Sequence, residues 1–223
     1  MTMTLDIQDD IGLITLDDGK ANAVSHAFLE TIAPLLDEAE AKAKAVVIAG
    51  RPGRFSGGFD LKVMQGSTPD EVRALVERGG DLAYRLFTFS KPVVAACTGH
   101  SLAMGGMLLC SMDVRVGVQG DFKIGLNESA IGMVMPHFGV TLPKARLNPA
   151  YFTRAIVNAE LFAPDEAVTA GFLDYAVVPE MLMETALAHA GALGALPQKA
   201  FFGNKKLARK AAITALEAKT PLL

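Results

Sequence analysis

Apolar and polar residues alternate along Leu5 to Gln8 and again along Ile11 to Leu16, on either side of Asp9-Asp10, a pattern that predicts a β-hairpin. Ser25 then precedes a stretch with Phe28, Ile32, Leu35 and Ala39 on one helical face, predicting a capped helix to about Lys42. Pro34 falls inside it and predicts a bend or local break. Lys44 to Gly50 is a short apolar run ending in glycine, the mark of a buried strand, and a Gly-rich loop follows over Arg51 to Asp60. Thr68-Pro69-Asp70-Glu71 combines an N-cap, a first-turn proline and a capping-box glutamate, which predicts a helix to about Phe89. Lys91 to Cys97 reads as a strand, Leu102 to Met112 as a helix and Val114 to Val118 as a strand. Strands and helices in alternation with short links predict an α/β fold with right-handed crossovers. From Asn148 the pattern turns mainly helical, with a start at Pro164-Asp165-Glu166, a short strand at Val177 to Val178 and broken helices from Met181 to Leu216. The expected organisation is a single domain, with a core over 1–147 and a helical C-terminal subdomain over 148–223.

Composition narrows the function classes. The chain has 223 residues, 51% hydrophobic and 20% charged, enough for one globular core. A net charge of −3, no tryptophan and only 3 tyrosines give neither the basic face nor the stacking platforms of a nucleic-acid binder. Cys97 and Cys110 share one apolar segment and do not assemble the Cys/His spacing of a zinc site, so the sequence points to no metal site and no disulfide, and to a reducing, cytoplasmic setting. Pro92 to Met112 holds no charged side chain, but Thr98, Gly99, His100, Ser101, Gly105, Gly106 and Ser111 mark it as a buried strand, turn and helix, so no membrane association is expected.

Three segments carry candidate chemistry. Arg54-Phe55-Ser56-Gly57-Gly58-Phe59-Asp60-Leu61 follows a strand, and its glycines let backbone N–H groups point into a cleft. Gly99-His100-Ser101-Leu102-Ala103-Met104-Gly105-Gly106-Met107 opens a buried helix, whose N-terminus offers free donors. Together they can form an oxyanion hole; each alone also fits tight packing of a helix on a strand. In the third, Ile124-Gly125-Leu126-Asn127-Glu128 with Ile131 to Pro136, Glu128 stands in an apolar run that would raise its pKa and suit general acid/base work, against the alternative of a solvent-facing loop glutamate.

In combination these segments resemble the crotonase (enoyl-CoA hydratase/isomerase) superfamily, over nearly the whole chain to about Arg209. Ala21-Asn22-Ala23-Val24-Ser25 is similar to the family's Asn-Ala-Leu helix start, and Pro164 to Leu173 resembles its later Glu-Ala-x-x-x-Gly-Leu-Val. The resemblance implies a spiral of ββα units, a helical C-terminal region that builds a homotrimer or a dimer of trimers, and an acyl-CoA substrate with no separate cofactor. It implies oxyanion donors at Gly57 and Met104, with Ala103 and Met104 replacing two glycines of the common pattern. It sets coenzyme A against Lys20, Ala21, Arg54, Phe55, Ser56 and Lys62, with Lys205 in a cationic C-terminal stretch that could reach CoA phosphates. Asp60 and Asp113 match structural positions.

Hydratases of the family typically use two glutamates. One matches Glu128; the other falls at Met107, and no Asp or Glu occurs from Pro92 to Met112. Hydration needs water held and deprotonated while carbon is protonated, work that a thioether cannot share. Moving a double bond from the 3 to the 2 position needs one base, so the expectation is 3-enoyl-CoA isomerisation by Glu128. The alternatives are hydration, thioester hydrolysis using His137, and acyl-CoA binding or assembly without turnover.

Overall fold

The computed structural model describes residues 2–218. Strands β1 (Thr2–Gln8) and β2 (Ile11–Asp17) pair antiparallel, joined through Asp9 and Asp10, both at positive φ as a two-residue hairpin turn requires. Helix α1 (His26–Lys42) is capped by the Ser25 side chain and runs through Pro34 without the expected break. Its buried face of Phe28, Leu29, Ile32, Leu36 and Ala39 outweighs the loss of one hydrogen bond.

The chain then repeats one manoeuvre three times. Strand β3 (Ala45–Ala49) leads to β4 (Gly53–Ser56), then α2 (Leu61–Gly66) and α3 (Pro69–Phe87), the last with the expected Thr68 capping box. Strand β5 (Val93–Cys97) leads to β6 (Gly99–Leu102) and α4 (Met104–Ser111). Strand β7 (Val114–Val118) leads to β8 (Ile124–Gly125), a 3-10 turn at Ser129–Ile131 and α5 (His137–Arg146). The first strand of each unit joins one sheet and the second joins another, which is the ββα spiral. The remaining elements are α6 (Pro149–Ile156), β9 (Leu161–Phe162), α7 (Pro164–Ala170), β10 (Tyr175–Val177), α8 (Leu182–Gly194), α9 (Gln198–Ala208) and α10 (Lys210–Glu217). The six-stranded sheet has the order β1-β2-β3-β5-β7-β10, parallel from β2 onward, and the four-stranded sheet the order β4-β6-β8-β9, antiparallel only at its last pair.

The expected glycine-rich loops thus contain strands. They are too short and too glycine-rich to alternate, and only ladder pairing makes them visible. A methyl group on Gly99 would overlap the Gly53 backbone, so β4 and β6 approach as closely as glycine alone permits. Residue 148 marks a change in composition rather than a break in packing. Beyond it the described chain is mainly helical, but β9 and β10 extend the two sheets, and α8 lies across β3, β5 and β7.

The central strands β3, β5 and β7 of the six-stranded sheet are buried on both faces, which is why they read as unbroken apolar runs, whereas β1 keeps an exposed face and alternates. One face packs Val46, Ile48, Val93 and Ala95 among side chains of α1, α3 and α4; the other packs Val47, Val94, Ala96 and Val116 under Leu182, Ala186 and Ala190 of α8. Cys97 and Cys110 lie in the first layer, where burial pushes their thiols up to about 12 and about 11. They act as small hydrophobes. Among the described residues no helix is long and apolar enough to cross a membrane.

Candidate active site

The first glycine loop is held by Asn22. This residue is fully buried at φ 50°, and its side-chain amide donates to the carbonyls of Leu16 at 2.9 Å and Phe55 at 3.1 Å. Its own carbonyl accepts the Ser56 hydroxyl at 2.8 Å. Asn22 is therefore a turn residue that pins the chain leading into α1 to the end of β4. The neighbouring Ala21 carbonyl accepts the Gly57 N–H at 2.8 Å. Gly57 is consequently not an oxyanion donor, contrary to the expectation, because its N–H is engaged in holding the loop.

Two residues on, Phe59 forms a parallel bridge with Val24, in which Val24 N–H donates to Gly58 O at 2.8 Å and Asp60 N–H to Val24 O at 3.0 Å. In such a bridge the N–H of the middle residue faces the other way, and Phe59 N–H meets no protein acceptor among the described residues. Asp60 caps α2 through the Lys62 N–H at 2.9 Å. The available donor of this loop is Phe59. Nothing in the spacing of the glycines distinguishes the two positions; the bridge to Val24 does.

The second expected donor lies at the start of α4. Met104 is the first residue of that helix, where the helical pattern leaves its N–H without a backbone partner among the described residues. Ala103, just before it, sits at φ 51° and ψ −121°, a region costly to any residue with a side chain. A methyl group on Gly58, itself at φ 95°, would lie 3.4 Å from Met104 N and 2.8 Å from Ala103 Cβ. The two loops therefore meet at Gly58, which brings the Phe59 and Met104 N–H groups to one junction.

Glu128 is 5% exposed, follows β8 and opens the 3-10 turn. Its Oε2, and Oδ1 of neighbouring Asn127, are shielded from solvent without a hydrogen-bond partner among the described residues. Burial pushes the Glu128 carboxyl up to about 7, opposed only by its own backbone N–H. Among the described residues no charged neighbour contributes, so the carboxylate stands alone in an apolar setting. Helix α4 lies between the donor loop and this segment: methyl groups on Gly105 and Gly106 would sit 2.5 Å from Ser56 O and 2.8 Å from Gly125 O. Met107, one turn into α4, is fully buried, with Cε 2.8 Å and Sδ 3.2 Å from where a methyl group on Gly139 of α5 would stand.

The two histidines near these segments are engaged elsewhere. His137 Nε2 lies 2.9 Å from the Ala215 carbonyl of α10 and 3.3 Å from the Thr141 hydroxyl, so it docks the C-terminal helix on α5. His100 Nδ1 accepts the Lys123 N–H at 3.0 Å, with its ring edge-on to Phe122, the backbone-satisfying role expected of it.

The residues expected against coenzyme A separate into two groups. Lys20 and Lys62 are exposed and Ala21 and Arg54 half-buried, so all four can meet a ligand. Phe55 and Ser56 are fully buried: Phe55 belongs to the core and the Ser56 hydroxyl to the Asn22 carbonyl, which leaves only their backbone for a ligand. Lys205 is a further correction. Its side chain is 4% exposed and bonds Asp113 at 2.8 Å; burial brings its amine down to about 8. Asp113 also accepts Arg209 at 2.8 Å and the Val93 N–H at 2.8 Å, while Arg209 donates to the Phe87 carbonyl at the end of α3 and Arg146 to the Met112 carbonyl at the end of α4. The C-terminal ends of α3 and α4 balance this excess of cations. Lys205 and Arg209 face inward and pair with Asp113 to dock α9, so the Lys205 charge is engaged within the fold rather than presented to solvent.

Residues 6–221 match the family model described as enoyl-CoA hydratase/isomerase. An enoyl-CoA hydratase/isomerase family protein from Pseudomonas syringae is 41% identical, with a TM-score of 0.94 over 97% of this chain and 94% of that one. A probable enoyl-CoA hydratase of Bacillus subtilis is 28% identical over 174 residues, 77% of this chain and 67% of that protein. Human mitochondrial enoyl-CoA delta isomerase 1 is 27% identical over 210 residues, 92% of this chain and 70% of that protein. The relatives thus carry names for both reactions.

Proposed function

The chain belongs to the enoyl-CoA hydratase/isomerase family, and from that premise we propose that it isomerises 3-enoyl-CoA to 2-enoyl-CoA with Glu128 as sole acid/base. The thioester oxygen would accept the Phe59 and Met104 N–H groups. Glu128 carboxylate removes a proton from C2, the electron pair moves through C2 and C1 onto that oxygen, and the two donors stabilise the resulting dienolate. The protonated Glu128 then returns the proton to C4 as the double bond settles between C2 and C3. Preformed donors of this kind are worth roughly 10²–10³ in rate each.

The observation that carries the reading is the solitary buried carboxylate. Among the described residues no charged neighbour shapes the ionisation of Glu128, and the buried residue of α4 that the resemblance matches to the hydratases' second glutamate is a thioether, Met107. A carboxyl near pKa 7 is poised both to take and to give a proton at neutral pH. Hydrolysis through His137 is disfavoured, because its Nε2 is bonded to Ala215.

The test is a panel of CoA thioesters followed in parallel for double-bond migration, hydration and free thiol release. Migration should be the fastest of the three, and Met107→Glu should raise hydration of 2-enoyl-CoA. Hydration or hydrolysis outpacing migration in the wild type would overturn the reading, as would the absence of all three.

A further inference from the structure

Helix α3 carries two glycines in sequence, Gly79 and Gly80, in the middle of a 19-residue helix, where each costs roughly 1 kcal/mol relative to alanine. Both are occupied by rings from other elements. A methyl group on Gly79 would lie 2.5 Å from Cε1 and 2.6 Å from Cζ of Phe59, and 3.5 Å from Cε of Met104. One on Gly80 would lie 2.8 Å from Cδ1 and 3.0 Å from Cε1 of Phe138 in α5. With Met107 against Gly139, these four side chains fill the wedge between α3, α4 and α5.

That wedge matters because of where a thioester must go. Resting on the proposed function, its oxygen sits at Phe59 N and Met104 N. The large, hydrophilic coenzyme A must leave toward solvent, so the acyl carbons lead inward. On the sheet side they meet backbone, since the glycines at the start of α4 lie against Ser56 O and Gly125 O with no room for a methyl group. The inward route left is the wedge. The two methionines are adaptable, but the two rings are seated in notches that only glycine provides.

We infer that Phe59 and Phe138, seated on Gly79 and Gly80, close the inner end of the acyl site and restrict the substrate to short acyl chains. Phe138 sets the limit and belongs to neither the donor pair nor the base.

The test is calorimetric titration with saturated butanoyl-, hexanoyl-, octanoyl-, decanoyl- and dodecanoyl-CoA, which lack the double bond. Each methylene that enters an apolar site should tighten binding roughly fourfold. In the wild type the gain should stop by about hexanoyl, whereas in Phe138→Ala it should continue for several more carbons with butanoyl affinity little changed. Phe138→Leu, which keeps the helix packed, should move the break point in the same direction and serves if the alanine variant does not fold. Affinity that keeps rising to dodecanoyl in the wild type, or a break point unmoved in the folded variants, overturns the inference while leaving the proposed reaction intact. Failure of every acyl-CoA to bind overturns both.

Discussion

Replacing Glu128 by glutamine should make the protein more stable, and only above a certain pH. The carboxyl has its pKa raised from the ordinary 4.5 to about 7, with burial as the cause. Between those values the folded chain holds a proton that the unfolded chain has released, so stability falls as pH rises from about 4.5 to about 7 and stays low beyond. At 1.36 kcal/mol per pH unit the full penalty is about 3 kcal/mol. Glutamine has nearly the same shape and no charge to desolvate, so it removes this penalty, less whatever its amide loses by lacking a partner. Urea denaturation at pH 8 should show Glu128→Gln more stable by about 2–3 kcal/mol, and at pH 4.5 the two proteins should be equal within about 0.5 kcal/mol. Equal stability at both pH values would mean that the carboxylate is solvated or paired in solution. A glutamine variant less stable at pH 8 would mean that it holds the fold together. Either result refutes the burial argument on which its role as a base depends.

Three further outcomes follow from the same geometry. Gly58→Ala places a methyl group 2.8 Å from Ala103 Cβ at a backbone angle favouring glycine, so it should separate the two donor loops and lower kcat roughly 10²-fold or more with the fold retained by circular dichroism. Ala103→Gly relieves a conformation costing of order 1–3 kcal/mol at an entropic cost of roughly 0.5–1 kcal/mol, so denaturation should show a net gain of about 1 kcal/mol; a loss would mean that the backbone there is not strained. Light scattering at micromolar concentration should give a trimer or a dimer of trimers, in line with exposed Tyr175, Val178, Met181, Leu196 and Leu207 in the C-terminal part, and a stable monomer would contradict that assembly.

The fold was legible wherever burial imposed periodicity. The hairpin, the caps at Ser25 and Thr68, and strands β3, β5 and β7 all follow from pattern, since each has a face or a body that must leave water. Strands β4, β6 and β8 do not, because two to four residues rich in glycine carry no period. Of the candidate site, Glu128 stood out as a charge in an apolar run, and Met104 as the start of a buried helix. Gly57 was misassigned because which N–H is free depends on the long-range bridge between Val24 and Phe59, which no local spacing encodes. Lys205 was misassigned for a related reason: a helix with lysines and an arginine reads as solvated until Asp113, 92 residues earlier, turns one face inward. The Gly79-Gly80 pair, a local cost without local benefit, was the overlooked signal.

The central claim, one base and one reaction, is tested most directly by the conversion of 3-hexenoyl-CoA to 2-hexenoyl-CoA in wild type and Glu128→Gln, with hydration of 2-hexenoyl-CoA measured alongside. The account predicts isomerisation faster than hydration in the wild type, and a loss of isomerisation in the variant at or beyond the top of the roughly 10²–10⁴-fold range of a general acid/base, with CoA affinity nearly unchanged. Efficient hydration by the wild type that survives Glu128→Gln would contradict it.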